Sequence, residues 1–558
     1  MLAAASVWAA PGDSAVQQAR QAFVERKLAN LERAARDVPA DHVLLPYVEY
    51  WRLMLDGRND DARIADYLAR YPGSRLAETL RADWLKSLGA REAWPRYLAE
   101  YYRLAKPDTA HQCYAYRAEW VQDNRTHQRE AIALWFTGRD MPSACTPLFA
   151  TLIDAKLIGQ EDGWRRIRLA LDADNPNVAK VVANSLPDVQ PLDGALLERA
   201  GRDPARLLNT GNLNLNTRGN IEIALYALDQ LAKRNSSEAG LALRKRLPDL
   251  APADASAAWA RLATRAARRH ESVAQNWFQL AGMMAVNDSQ REWWVRTALR
   301  AGDWSTVRQV IDSMGESSRA LPEWRYWRAR AIQANGQRLA ANTVFMALSR
   351  EHHYYGQLAQ EELGPVIQAS VINIKMGGDD VAAISRNPGI ARAIALQEMG
   401  LRNDASQEWT WSIREFTDGQ LLAAAELARR MEWYDRAIST AERTRDLHDF
   451  ELRFVAPYRE LAQQAARENG IDEAWVFGLM RQESRFINFA RSGVGASGLM
   501  QIMPATARWI ARRLGIRRFD PGEMQEPARN IQFGAYYLKY VQTSLDGSPV
   551  LATAAYNA

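Results

Sequence analysis

A glutamate that closes an apolar helical stripe is the residue in this 558-residue sequence best placed for acid–base work. A helix opening at Asp472 as its N-cap would carry Trp475, Val476, Leu479 and Met480 along one face, and Glu483 follows Leu479 by four residues and Met480 by three. That spacing aims the carboxyl at the buried side, where loss of water disfavours the ionised form and raises the pKa toward values that allow proton donation near neutrality. On local grounds alone it also fits a surface glutamate at a fraying helix end. Next comes the loop from Ser492 to Gln501, whose Gly493, Gly495 and Gly498 permit tight turns and close approach by a ligand. It lacks the Lys-Ser/Thr ending and preceding strand of a phosphate loop. Pro504 suits the first turn of a further helix running through Trp509 to Leu514 and closed by Gly515. The nearby acids Asp520, Glu523, Glu526 and Asp546 lie in turn-like or capping contexts, and none shares the stripe of Glu483. A second carboxylate about 5 to 9.5 Å away would favour ordinary hydrolysis.

The elements that must carry these residues are helical. From about residue 15 to 350 apolar residues recur at steps of three and four, β-branched alternation is scarce, and Gly, Pro, Asn and Asp punctuate the periodic stretches. One stretch reads Trp84, Leu85, Leu88, Gly89, Ala93, Trp94 and Tyr97, which predicts two helices joined at the glycine. Another reads Trp327, Ala331, Gly336, Ala340, Phe345 and Leu348. Helix pairs of this kind cannot bury their apolar faces singly and must stack, so a superhelical array is expected, loosely similar to tetratricopeptide repeats. The 19 tryptophans mostly stand at helical spacing beside aliphatic residues and are assigned to packing between helices rather than to sugar stacking. His352 and His353 are adjacent and so point about 100° apart on a helix, with no further ligand spaced to complete a metal site. Residues 371–380 are read as a connector, and a smaller helical block from Pro388 to Leu447 follows with Trp409, Trp411, Trp433 and Tyr434 in its core.

Composition narrows the classes. With 47% hydrophobic and 25% charged residues the chain has the balance of packed domains, not of a disordered tail. The net charge of +5 is dispersed, without a dense Lys/Arg tract or an aromatic-basic motif, so nucleic acid is not expected as a partner. No apolar run reaches the length of a membrane span. Met1 to Ala10 are small and apolar and read either as the remnant of an export leader or as a frayed terminus. No cofactor or metal motif is present. Two cysteines, Cys113 and Cys145, decide nothing about redox compartment on their own.

Three motifs in order carry a resemblance: Glu483-Ser484-Arg485-Phe486, then Gly498-Leu499-Met500-Gln501-Ile502-Met503-Pro504-Ala505-Thr506, then Ala555-Tyr556-Asn557-Ala558. Together they resemble the soluble lytic transglycosylases, whose catalytic module is similar to goose-type lysozyme. A fourth stretch, Glu526-Pro527-Ala528-Arg529-Asn530 through Leu538, also matches, with Glu where the family commonly has Asp; that acid is expected to cap a helix. The resemblance extends over the whole chain and implies an all-α protein in three parts: a superhelical ring or solenoid of helix pairs over residues 1–360, a small helical linker domain over 361–450, and a lysozyme-like module over 451–558. It further implies a periplasmic location and one disulfide in the helical domain, for which Cys113 and Cys145 are the available partners. Their 31 intervening residues would close a loop worth about 3 to 4 kcal/mol.

By the same resemblance, the chain is expected to cleave the β-1,4 bond between N-acetylmuramic acid and N-acetylglucosamine in peptidoglycan glycan strands, without water and without a cofactor or metal, leaving a 1,6-anhydro end. Glu483 would serve as acid and then as base. Ser492 and Gln501 are carried over as hydrogen-bond partners of the substrate or of Glu483, although Ser492 also suits a simple turn. Met500 and Met503 become either apolar walls beside the sugar or core filling. Gly498 belongs to the same binding loop. Tyr556 and Asn557 are expected to face the acid, with the phenol restraining its carboxyl. In that family the chain continues past the last motif, so a sequence ending at Ala558 is expected to leave Glu483 more exposed and its pKa less raised. A monomer is expected, with docking of other cell-wall enzymes on the helical domain. Two rivals stand beside this reading: a muramidase that uses water, and a non-catalytic cell-wall scaffold.

Overall fold

Helix ends in this chain are written by short polar residues. Asp60, Asp193, Asn287, Thr417 and Asp472 each accept a backbone N–H of the first turn that follows, satisfying donors that the helix itself leaves unpaired. The computed structural model describes residues 11–186, 189, 191–209, 213–364 and 374–557; the expected leader at Met1 to Ala10, the first part of the expected connector and Ala558 lie outside them. Among the described residues 34 α-helices follow one another and no β-strand forms. Isolated bridges link Arg491 with Ser497 and Ser497 with Ile502, in the glycine-rich loop. The backbone groups into two compact units, one made of Met1–Arg81 with Val371–Ala558 and the other of Ala82–Ser370.

The Ala82–Ser370 unit is a succession of helix pairs whose inward faces join into a core reaching from Cys113 to Ala331. The tryptophans do what their spacing predicts: Trp135, Trp164, Trp259, Trp277, Trp294 and Trp324 are buried there. Phe278 stacks on Trp294 at 5.2 Å, and the Arg166 guanidinium lies 4.3 Å from the Trp135 ring. Cys113 on Thr109–Val121 and Cys145 on Cys145–Asp154 form a buried disulfide. Gly336, at φ +81°, turns the chain between Pro322–Ala334 and Arg338–Leu348 as the sequence suggests. Gly89 does not make the other turn. It lies inside Arg75–Ala90, where a Cβ would fall 2.5 Å from the Tyr114 ring, so it is a notch for an aromatic and the chain turns after it. His353 caps Tyr354–Leu363 by accepting the Gly356 N–H at 3.1 Å.

In the other unit, N-terminal helices pack with the smaller helical block around one buried acid. The Glu408 carboxylate accepts the Tyr47 hydroxyl at 2.8 Å and the Arg392 Nε–H at 2.7 Å, and Arg75 stands 3.4 Å from it. Gly378, Asp379 and Asp380, read as connector, form the first turn of Gly378–Ser385 instead, because Asp380 reaches back to accept the Gly377 N–H. The C-terminal helices Arg459–Asn469, Glu473–Ser484, Pro504–Arg513 and Pro527–Ser544 surround a separate core of Val476, Leu479, Met480, Leu499, Ile510 and Phe533.

Candidate active site

Glu483 sits in the last turn of Glu473–Ser484. Asp472 opens this helix by accepting the Ala474 N–H at 2.7 Å, and the helix ends because Arg485 and Phe486 take positive φ values of 48° and 66°. Its buried face is Val476, Leu479, Met480 and Ser484, which leaves Glu483 beside that face and half-buried. Burial raises its pKa above the ordinary 4.5, and a hydrogen bond from Asn557 opposes that rise without cancelling it. Ser484 ties the helix end to the glycine-rich loop: its hydroxyl donates to the Leu499 carbonyl at 2.7 Å and accepts the Phe486 N–H at 3.1 Å.

The loop is folded on itself and on one asparagine. Ser492 accepts the Ala496 N–H at 3.0 Å through its hydroxyl and pairs with Ala496 through its backbone, so of its two expected roles it fills the turn-forming one. Gly498 runs at φ +80°, with Asn530 packed so closely that a Cβ would fall 2.2 Å from its amide nitrogen. Gln501, itself at φ +47°, donates its amide to the carbonyls of Gly498 at 2.8 Å and Ala490 at 3.1 Å, which holds the loop closed. The two methionines part company. Met500 is fully buried with its sulfur in the notch left by Gly534, which corrects its reading as a wall of the cleft, whereas Met503 is 39% exposed at the loop's end.

The last helix, Pro549–Tyr556, is pinned to the acid helix by Trp475, whose indole N–H donates to the Thr553 hydroxyl at 2.9 Å. Tyr556 lies close enough to Glu483 for the carboxylate to raise its pKa, with burial the larger cause. Its hydroxyl does not restrain the carboxyl as expected. It donates to the Met500 carbonyl at 2.9 Å, and Asn557 makes the hydrogen bond to Glu483. Tyr537 packs edge-on against Tyr556 at 5.3 Å.

The remaining acids stay apart from this center. Asp520 caps a 3₁₀ turn by accepting the Gly522 N–H, and Glu523 pairs with Arg529 at 3.0 Å. Glu526 occupies the N-cap position of Pro527–Ser544 but makes no capping hydrogen bond through its side chain. Among the described residues no group of His, Cys, Asp and Glu is arranged to hold a metal ion. Two functional neighbours escaped the sequence reading, Asn530 and Ser484. Each is a polar residue inside an otherwise apolar helical face within a quoted motif, and that pattern was the available signal.

The family model described as the transglycosylase SLT domain matches residues 460–558, and that of the soluble lytic murein transglycosylase L domain matches 383–448. The soluble lytic murein transglycosylase of Salmonella typhimurium is 29% identical over 97% of this chain and 84% of its own length. Among solved structures, an inactive mutant of the lytic transglycosylase Slt from Pseudomonas aeruginosa superposes with a TM-score of 0.78, at 27% identity over 98% of this chain and 89% of that one. The 70 kDa soluble lytic transglycosylase of Escherichia coli gives a TM-score of 0.67, at 25% identity over 99% of this chain and 90% of that one.

Proposed function

The chain belongs to the soluble lytic transglycosylase family, a family of lyases that cleave peptidoglycan glycosidic bonds without water, and from that premise we propose that Glu483 carries both proton transfers of the reaction. The supporting observation is the carboxyl itself: half-buried, with its pKa raised by burial and with no other carboxylate among the described groups that act on it. Protonated, it gives its proton to the glycosidic oxygen as the bond between that oxygen and C1 of the muramyl sugar breaks. The cation left at C1 is shared with the carbonyl oxygen of the sugar's own N-acetyl group, in the substrate-assisted manner. The C6 hydroxyl oxygen then bonds to C1 while its proton passes to the Glu483 carboxylate, which restores the acid and closes the 1,6-anhydro ring. No water enters the balance and no second carboxylate is needed.

Around this group we assign Asn557 to orient the carboxyl, Met503 to meet the sugar as an exposed apolar edge, and Ser492, Gly498 and Gln501 to shape the loop that carries it. The three-part division at 360 and 450 belongs to the same proposal, supported by family-model matches at 383–448 and 460–558. No helix among the described residues is long and apolar enough to cross a membrane. The same proposal places the chain in the periplasm as a monomer that meets glycan strands there, with other cell-wall enzymes docking on the helical region. Digestion of purified sacculi tests the reading. Mass spectrometry should find products lighter by one water than those of a muramidase, and Glu483→Gln should abolish their release while glycan binding persists. Reducing-end products from the unaltered chain would turn the assignment to hydrolysis.

A further inference from the structure

Asn530 is fully buried, in the first turns of Pro527–Ser544, and its side chain touches three backbone groups of the neighbouring chain. Its Oδ1 accepts the Met500 N–H at 2.7 Å, and its Nδ2 donates to the carbonyls of Met524 at 2.8 Å and Ser497 at 2.9 Å. The amide has one orientation open to it, because turning it over would set its oxygen against two carbonyls and its NH2 against an N–H. The N–H that Asn530 holds is that of Met500, and the carbonyl of the same residue, in the next peptide group, accepts the hydroxyl of Tyr556. We propose that Asn530 is a positioning residue for the acid: by fixing the Met500 backbone it turns the one hydroxyl proton of Tyr556 away from Glu483.

The direction of that proton decides what Tyr556 does to its neighbour. A phenol carries a single donor. Donated to the Glu483 carboxylate, it would favour the ionised form and lower the pKa. Committed to the Met500 carbonyl, it leaves only oxygen lone pairs to face the acid, and these suit the protonated carboxyl. The other groups around Glu483 do not replace it. From its own helix and the turn beyond, Arg481 and Arg485 are both engaged by Glu442, at 2.5 and 3.4 Å. From the loop, the Gln501 amide is spent on Gly498 and Ala490. From Pro527–Ser544, Tyr537 stands behind Tyr556, and Asn557 supplies, among the described residues, the hydrogen bond that favours the carboxylate.

The inference rests on Glu483 being the proton donor, so its signature is the alkaline limb of the pH–rate profile, where turnover falls as that acid ionises. Release of anhydro-muropeptides from sacculi by the full chain, measured across the pH range, should show that limb displaced downward by about one unit in Asn530→Ala, equivalent to about tenfold less turnover above it, with KM and the acidic side little changed. In a Tyr556→Phe background the same substitution should add no displacement, since no hydroxyl remains to be turned. Asn530→Ser is read the same way should the alanine variant lose its cooperative melt. A uniform loss at every pH, or an equal displacement with and without the Tyr556 hydroxyl, would reduce Asn530 to a structural residue and overturn the proposal. Should the unaltered chain release only reducing ends, the acid–base reading itself fails; anhydro ends with an unmoved limb in Asn530→Ala defeat the positioning role alone.

Discussion

Adding one methyl group to Gly498 should damage this module more than its size suggests. The Cβ of Gly498→Ala would lie 2.1 Å from the Met524 carbonyl oxygen and 2.2 Å from the Asn530 amide nitrogen, and the residue sits at φ +80°. The backbone conformation costs an L-residue about 1 to 2 kcal/mol. The clash with a carbonyl cannot be relieved by a rotamer change, so Asn530 must withdraw, and each buried carbonyl it abandons costs about 1 to 3 kcal/mol. With the Ser497 and Met524 carbonyls both abandoned, these place the destabilisation at about 3 to 8 kcal/mol, among the large effects a single substitution produces. Urea unfolding followed by tryptophan fluorescence, with Trp475 and Trp509 inside the module as reporters, measures it directly. Activity should fall as well, because the displaced segment carries the Met500 carbonyl that receives Tyr556. A loss of less than 1 kcal/mol would refute the argument, since it would mean the loop and Asn530 move apart freely.

Other consequences are testable by similar means. Glu483 has a folded-state pKa above its ordinary 4.5, so its contribution to stability is fully present below that value and is lost as pH rises through the folded pKa; Glu483→Gln should therefore melt above the unaltered chain near pH 7, and the gap should close near pH 4. Replacing Cys113 and Cys145 by alanine opens a loop with a sequence separation of 32 and should cost about 3.7 kcal/mol, read as a fall in unfolding midpoint that added reductant reproduces in the parent and not in the variant. Glu408→Ala would strand Arg392 and the Tyr47 hydroxyl without their buried acceptor and should cost about 3 to 5 kcal/mol by denaturant unfolding. Glu198→Ala removes a pair in which both side chains are mostly exposed and should stay within about 0.5 kcal/mol.

Two buried anchors in the unit made of Met1–Arg81 with Val371–Ala558 share a design. Around Glu408 and around Asn530, one fully buried polar side chain gathers groups from separate segments of the chain. The first joins N-terminal helices to the smaller helical block, and the second joins the glycine-rich loop to the helix behind it. Both lie on helices whose other inward positions are apolar. A buried group of this sort specifies register and orientation because leaving it unsatisfied costs more than the bond returns.

How far the sequence alone reached follows from the range of the forces involved. Helical class, the Asp472 cap, the turn at Gly336 and the stripe that carries Glu483 all depend on residues within about four positions of one another, and periodicity reports such neighbours faithfully. The motifs around Glu483, Gly498 and Tyr556 were legible through their resemblance to a known family, each being a short run of matching residue types. Partners across the chain were not. Asn530 meets Met500 from 30 positions away, Tyr556 meets it from 56, and Tyr47 meets Glu408 from 361. Whether Met500 or Met503 faces solvent, whether Gly89 turns the chain or admits a ring, and where the Tyr556 proton goes were all settled by which helices pack together. That choice is made by the whole core, because a hydrogen bond or a contact depends on positions in space that local spacing does not encode.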